Sequence, residues 1–244
     1  MTSTIRKFRI AASALAIVAT ATAASAQDSR VVVSFDAGGQ IPVSGDVHGA
    51  GSGRVLNLPT QVSARSYGDV YGTGFYWAAG LGYRVTTLGE IRVQGSYTSN
   101  PAERLQVGTV ASLPLFGLFD DYKAFGMDFG YRQYLTAGTV QPFVGGSVGF
   151  TRLSSVQSEF SVPAAGVVLS DVDFLDSSTV ASFGGSAGVL INVSSRLAFQ
   201  GGVEFRWHGD AEDLDGLAGT GLEPINDEAR RWAMPITAGV TVKF

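Results

Sequence analysis

The chain has 244 residues, no cysteine and two histidines. Charged side chains make up 16% of it, against about 25% in an average soluble protein, and its 32 glycines are close to twice the usual share of about 7%. These counts exclude a disulfide scaffold and a cysteine zinc site. The formal charge of −4 argues against nucleic acid as a partner, and 45% hydrophobic content with 11% aromatics argues against a disordered chain.

Residues 1–26 read as a secretory signal peptide. Arg6, Lys7 and Arg9 form a basic start, Ile10 to Ala23 an apolar stretch, and Ala24-Ser25-Ala26 a small-residue cleavage site. The apolar stretch is shorter than the roughly 20 residues a membrane-spanning helix needs. Cleavage before Gln27 is expected, leaving a single domain over 27–244. That product would carry 14 basic and 21 acidic side chains, a charge near −7.

Period-two alternation then predicts eight strands, at 30–42, 73–85, 90–100, 122–135, 140–156, 179–193, 197–210 and 229–244. Glycine and serine blur the pattern most in the fifth and sixth. Phe125, Met127, Phe129 and Tyr131, for example, alternate with Gly126, Asp128, Gly130 and Arg132. Short turns near 86–89, 136–139 and 194–196 alternate with long loops at 43–72, 101–121, 157–178 and 211–228. An even strand number with short turns at one end and long loops at the other is the layout of a bacterial outer-membrane barrel. An eight-stranded lumen is just wide enough to be filled by side chains. The aromatics of five or more strands would not fit inside it, so the apolar face is expected to meet lipid. The expected fold is all-β, an eight-stranded antiparallel up-and-down transmembrane β-barrel. The expected location is the outer membrane.

Three features resemble the eight-stranded outer-membrane barrels, a group that includes the OmpA transmembrane domain, OmpX, the Opa proteins and small alphaproteobacterial outer-membrane proteins. Gln141-Pro142-Phe143-Val144-Gly145-Gly146-Ser147-Val148-Gly149-Phe150 is similar to a strand common there. Gly202-Val203-Glu204-Phe205-Arg206-Trp207 resembles the penultimate strand, and the alternating last strand ends on Phe244. The resemblance covers 27–244. It implies that Phe244 is the signal for the barrel-assembly machinery, and that lipid and lipopolysaccharide surround the protein. No peptidoglycan-binding domain is expected after the barrel.

Alternation places Arg30, Asp36, Arg84, Glu90, Arg92, Asp128, Arg132, Glu204, Arg206, Arg231 and Lys243 on the inner face. Arg84, Arg92, Asp128, Arg132, Glu204 and Arg206 are the candidates for a lumen ion-pair network, since unpaired buried charge costs several kcal/mol. Two readings stay open: a structural plug, or a narrow gated path for small solutes.

The long loops, with Asp210 at the border of the fourth, hold 16 of the 21 acidic residues, and the third and fourth hold no Lys or Arg. This reads as a solvated face that discourages association, or as a site for divalent cations or basic partners. Asp213-Leu214-Asp215-Gly216 echoes part of a calcium loop. Ala211 and Leu222 stand where its first and last carboxylates belong, so no metal site is expected. Leu113 to Phe119 is an apolar run in the second loop. It either packs over the barrel rim or touches lipid, or forms a hydrophobic entrance or partner patch.

Catalysis is not expected. His48 and His208 are the available bases, and His208 with Asp210 reads as a surface ion pair at the rim. A barrel hydrolase using His208 is the single exception. No cofactor is expected. The expected role is a monomeric membrane-embedded structure with outward loops for recognition or adhesion of an extracellular ligand. The alternative is a narrow porin-like channel or an OmpW-like carrier of small solutes.

Overall fold

The computed structural model describes residues 30–55, 57–210, 219, 221, 222, 225 and 230–244. The expected signal peptide and the Asp213–Gly216 segment lie outside the described residues. In chain order the first strands are β1 (Val31–Ser44), β2 (Asp46–His48), β3 (Gly51–Val55), β4 (Leu58–Val62), β5 (Arg65–Ser66), β6 (Gly74–Arg84), β7 (Gly89–Asn100) and β8 (Leu105–Val110). They are followed by β9 (Leu113–Phe119), β10 (Tyr122–Tyr134), β11 (Val140–Leu153), β12 (Val156–Val162), β13 (Val167–Leu175), β14 (Thr179–Asn192), β15 (Leu197–His208) and β16 (Arg231–Lys243).

Eight of these close a barrel in the order β1-β16-β15-β14-β11-β10-β7-β6, every pair antiparallel, with β1 also hydrogen-bonded to β6. Strands next to each other in the wall are consecutive along the wall's chain path, so the topology is up-and-down. Each expected strand is present. The two blurred by glycine and serine, β11 and β14, are 14 residues long, as long as β1.

The side-chain pattern explains closure. In β10, Tyr122, Ala124, Gly126, Asp128, Gly130, Arg132 and Tyr134 are buried while Lys123, Phe125, Met127, Phe129 and Tyr131 are exposed. Around the wall the exposed members include Leu81, Val148 and Phe150, the last at 65%. An apolar belt of this extent is stable only against hydrocarbon. Hydrocarbon in turn offers nothing to an unpaired strand edge, which requires the sheet to close. Aromatics gather on the outer surface toward the long-connection end. Phe183 stacks on Trp207 with ring centres 4.9 Å apart, and Phe205 on Trp232 at 4.7 Å. Such a girdle marks the membrane–water interface.

The long connections differ from expectation. The first three are folded, and with their neighbours they build a six-stranded sheet in the order β13-β12-β9-β8-β4-β3, plus the small β2–β5 ladder. The reason is a second apolar core. Val62, Val107, Leu115, Phe119, Val156, Phe174 and Leu175 from the outer sheet pack with Tyr122, Ala124, Leu153 and Val180 from the outer ends of the wall, and Leu222 and Ile225 join them. The apolar run is strand β9. Leu115 and Phe119 point into this core over the barrel rim, and Leu113 and Leu118 remain partly exposed. Arg30 also departs from expectation. It precedes β1 and is exposed, because the wall ends before it could face the lumen.

Candidate functional site

Two features concentrate chemistry: the polar lumen and the outer sheet above it. In the lumen, Arg206 is the central cation. Its Nη1 lies 2.9 Å from Asp128 Oδ2 and its Nη2 2.9 Å from Glu204 Oε1. Ser182 donates to Asp128 Oδ1 at 3.2 Å, and Ser147 to Glu204 Oε1 at 3.4 Å. The inward parity of β10 and β15 supplies these groups, and small inward residues on β11 and β14 leave room for the guanidinium.

The other three candidate arginines take neutral partners, whereas the sequence reading joined all six residues in one ion-pair network. Arg132 donates to Gln200 Oε1 at 2.8 Å and lies over the Phe143 ring at 4.0 Å. Arg92 donates to Gln94 and to Ser34. Arg84 donates to Gln141 at 3.2 Å and lies over Tyr134 at 4.5 Å. The carboxylates that could have paired with them are engaged elsewhere. Glu90 accepts from the Tyr134 hydroxyl at 2.8 Å, and Asp36 accepts from Gln200 Nε2. Gln94, Gln141, Gln200, Tyr134 and Phe143 are thus site residues that charge alone did not single out. Their inward parity was the available signal.

Among the described residues, packed clusters close over the lumen at both ends. Toward the outside, the helical turn Tyr67–Val70 drops Tyr67 and Val70 into the mouth. Tyr67 packs edge-on to Tyr122 at 5.2 Å, and the Arg231 guanidinium covers both rings. Ser66 caps the turn: Asp69 N–H donates to its hydroxyl, and its own N–H donates to the Asp69 carboxylate. Hydrogen bonds from the Ser66 side chain and backbone hold the Asp69 carboxyl below its ordinary value. At the short-turn end, Tyr134, Phe143, Leu190 and Ala198 form a small apolar cluster with Leu88 against it. Between the seals a cavity of about 70 Å³ lies among Asp36, Arg92, Asp128, Arg132, Glu204 and Arg206. That volume suits a few waters and is well below the roughly 300 Å³ at which small-molecule sites begin.

Neither histidine is at the surface. His208 is buried, with Nδ1 3.1 Å from Thr151 Oγ1. Asp210 is exposed and pairs with Arg230 at 3.3 Å, so the expected His208–Asp210 pair does not form. The chain leaves the β15 ladder after His208, which turns Asp210 away. His48 lies in the outer core between Phe119 and Phe174, at ring distances of 6.0 and 6.2 Å. Its Nδ1 is 3.0 Å from Gly49 O.

Burial lowers the His48 pKa from its ordinary 6.5. The unfolded outer sheet therefore binds more protons than the folded one just below pH 6.5. His48 favours the fold fully above that pH, and the contribution is lost as pH falls through the window beneath it. Amide protection of β2, β9 and β13, corrected for intrinsic exchange, will weaken on acidification below pH 6.5. In His48→Phe this dependence will flatten.

No family model matches the sequence, and no curated protein matches it. Solved structures share the architecture. Neisserial surface protein A aligns over 88% of this chain and 97% of its own, with 16% identity and a TM-score of 0.50. OprG, an outer membrane protein of Pseudomonas aeruginosa, aligns over 91% and 99% with 11% identity and a TM-score of 0.44. Ail, the attachment invasion locus protein of Yersinia pestis, aligns over 88% and 99% with 12% identity and a TM-score of 0.40. At these identities the likeness is one of fold.

Proposed function

Taking the chain as an eight-stranded outer-membrane barrel, we propose that it is a non-catalytic surface protein whose outer sheet recognises an extracellular partner. One observation carries this reading: packed clusters of described residues close over the lumen at both mouths, while the first three long connections are ordered into a sheet with its own core. A passage for solutes needs neither the sheet nor the seals. A binding platform needs a rigid surface held clear of the bilayer. The buried His208, held against Thr151, supports the non-catalytic part.

The chemistry of the platform favours a basic partner. Asp171, Asp173 and Asp176 lie on or beside β13, a stretch with no Lys or Arg, while Glu159 on β12 is paired with Arg104 at 3.1 Å. Phe244 closes the wall by exchanging backbone hydrogen bonds with Val31, and on this reading it presents the terminal aromatic to the assembly machinery.

Deleting residues 158–173 and joining the ends with two glycines removes the β12–β13 platform but leaves the wall. Cells displaying this variant will lose adhesion to matrix proteins that the intact protein binds, while the folded band persists on unheated gels. Retained adhesion, together with glucose flux through liposomes containing the intact protein, would instead identify a channel or carrier.

A further inference from the structure

Among the described residues, the outward face of the wall carries a pair of exposed cations above the aromatic girdle. Lys123 is the second residue of β10 and Arg152 the next to last of β11, both exposed. Phe125 is opposite Arg152, and Ser154 N–H donates to Lys123 O, so Lys123 and Arg152 are diagonal neighbours on one face. Lys123 is opposite Ser99 on β7, and Arg152 is opposite Thr179 on β14. Ser99, Lys123, Arg152 and Thr179 therefore form one polar row across four strands. One step toward the membrane, Tyr97 is opposite Phe125 and Phe150 is opposite Ala181. Phe125 and Phe150 are 49% and 65% exposed.

Among the described residues, neither cation has a side-chain ion pair or hydrogen bond. The carboxylates next to them along the chain accept from backbone N–H groups. Asp121 Oδ1 accepts from Ala102 N–H at 3.2 Å, Asp120 Oδ2 from Gln157 N–H at 3.2 Å, and Asp176 Oδ1 from Ser177 N–H. The other described arginines outside the lumen at this end are engaged: Arg104 with Glu159, Arg230 with Asp210, Arg65 with the Gln106 carbonyl, and Arg54 with that of Asn57.

The geometry points to a seat for a phosphorylated lipid of the outer leaflet. Its phosphate would lie between Lys123 and Arg152 with hydroxyl help from Ser99 and Thr179, and its acyl chains would run down Phe125 and Phe150. Charge complementarity selects the ligand, since a bare cation pair at the headgroup level attracts anionic lipid. Position selects the leaflet, because the row lies at the outer-sheet end of the wall. The seat is on the lipid-facing surface and does not depend on what the outer sheet recognises.

The test uses the full-length protein in zwitterionic detergent micelles, titrated with diphosphoryl lipid A and followed by native mass spectrometry. The intact protein will retain lipid A at low stoichiometry, with affinity that falls as salt rises. Each of Lys123→Gln and Arg152→Gln will weaken retention about fivefold, and the pair about 30-fold. Arg54→Gln, on the outer sheet, will leave it unchanged. Retention of the fold is checked by the unheated gel band. Equal retention of dephosphorylated lipid A, or an unaltered affinity in the folded double variant, would overturn the assignment.

Discussion

Replacing Arg206 by methionine will destabilise the barrel by about 3–5 kcal/mol, the usual result of removing one partner from a buried ion pair. The Arg206 side chain is 4% exposed, and its partners Asp128 and Glu204 are 3% and 17% exposed. Without the guanidinium, two carboxylates are left facing each other in the lumen with only Ser182 and Ser147 as donors. The measurement is urea unfolding in lipid vesicles, where the midpoint will fall sharply. Arg206→Met combined with Asp128→Asn and Glu204→Gln will recover most of the loss, because no unpaired charge remains. If the triple variant is no more stable than the single one, the loss comes from packing and not from stranded charge.

Gly149→Val will prevent folding of the wall. Gly149 is opposite Asp128 across β10 and β11. A Cβ there would meet the Met127 carbonyl oxygen and lie 2.7 Å from Asp128 Oδ1 and 2.8 Å from Asp128 Cα. Two of these obstacles are backbone, so the strands themselves would have to separate. Loss of the compact band on unheated gels reads the outcome. Two substitutions separate crowding from glycine as such. Gly146→Ala, on the outer face with its nearest neighbour at 3.7 Å, will fold. Gly138→Ala, in a turn at φ +122° with open space around it, will fold with a loss of about 1–3 kcal/mol from backbone strain alone.

The wall was legible because lipid enforces its parity. Each wall strand must present apolar side chains outward where it crosses the hydrocarbon, so alternation runs clearly from Ala124 to Tyr134 in β10 and survives the glycines and serines of β11 and β14. The outer sheet obeys weaker rules. Its strands bury one face in a local core and are interrupted by irregularities at Gln106/Gly108 and Ser158/Phe160, which reset the alternation. Its β8–β9 hairpin also lacks the expected turn signal. Ala111 and Ser112 take positive φ, 47° and 69°, where asparagine and glycine are usual. The residues facing the lumen were likewise legible from parity. Their partners were not, because tilt and stagger decide which inward groups meet across a closed sheet. Arg206 finds Asp128 from β10, whereas Arg132 on the same strand meets Gln200 and Phe143 instead.

The scarcity of charge and the abundance of glycine share one origin. Half of each wall strand faces hydrocarbon, and the other half must fit a narrow lumen already occupied by arginines. That lumen is closed by Tyr67, Tyr71 and Tyr122 above and by Tyr134, Phe143 and Leu190 below. Planar-bilayer recording of the purified, folded protein tests this most directly. A sealed lumen predicts insertion without steady conductance, and a Tyr134→Ala, Phe143→Ala variant that still does not conduct because the outer seal remains. Reproducible open-state currents from the intact protein would contradict it.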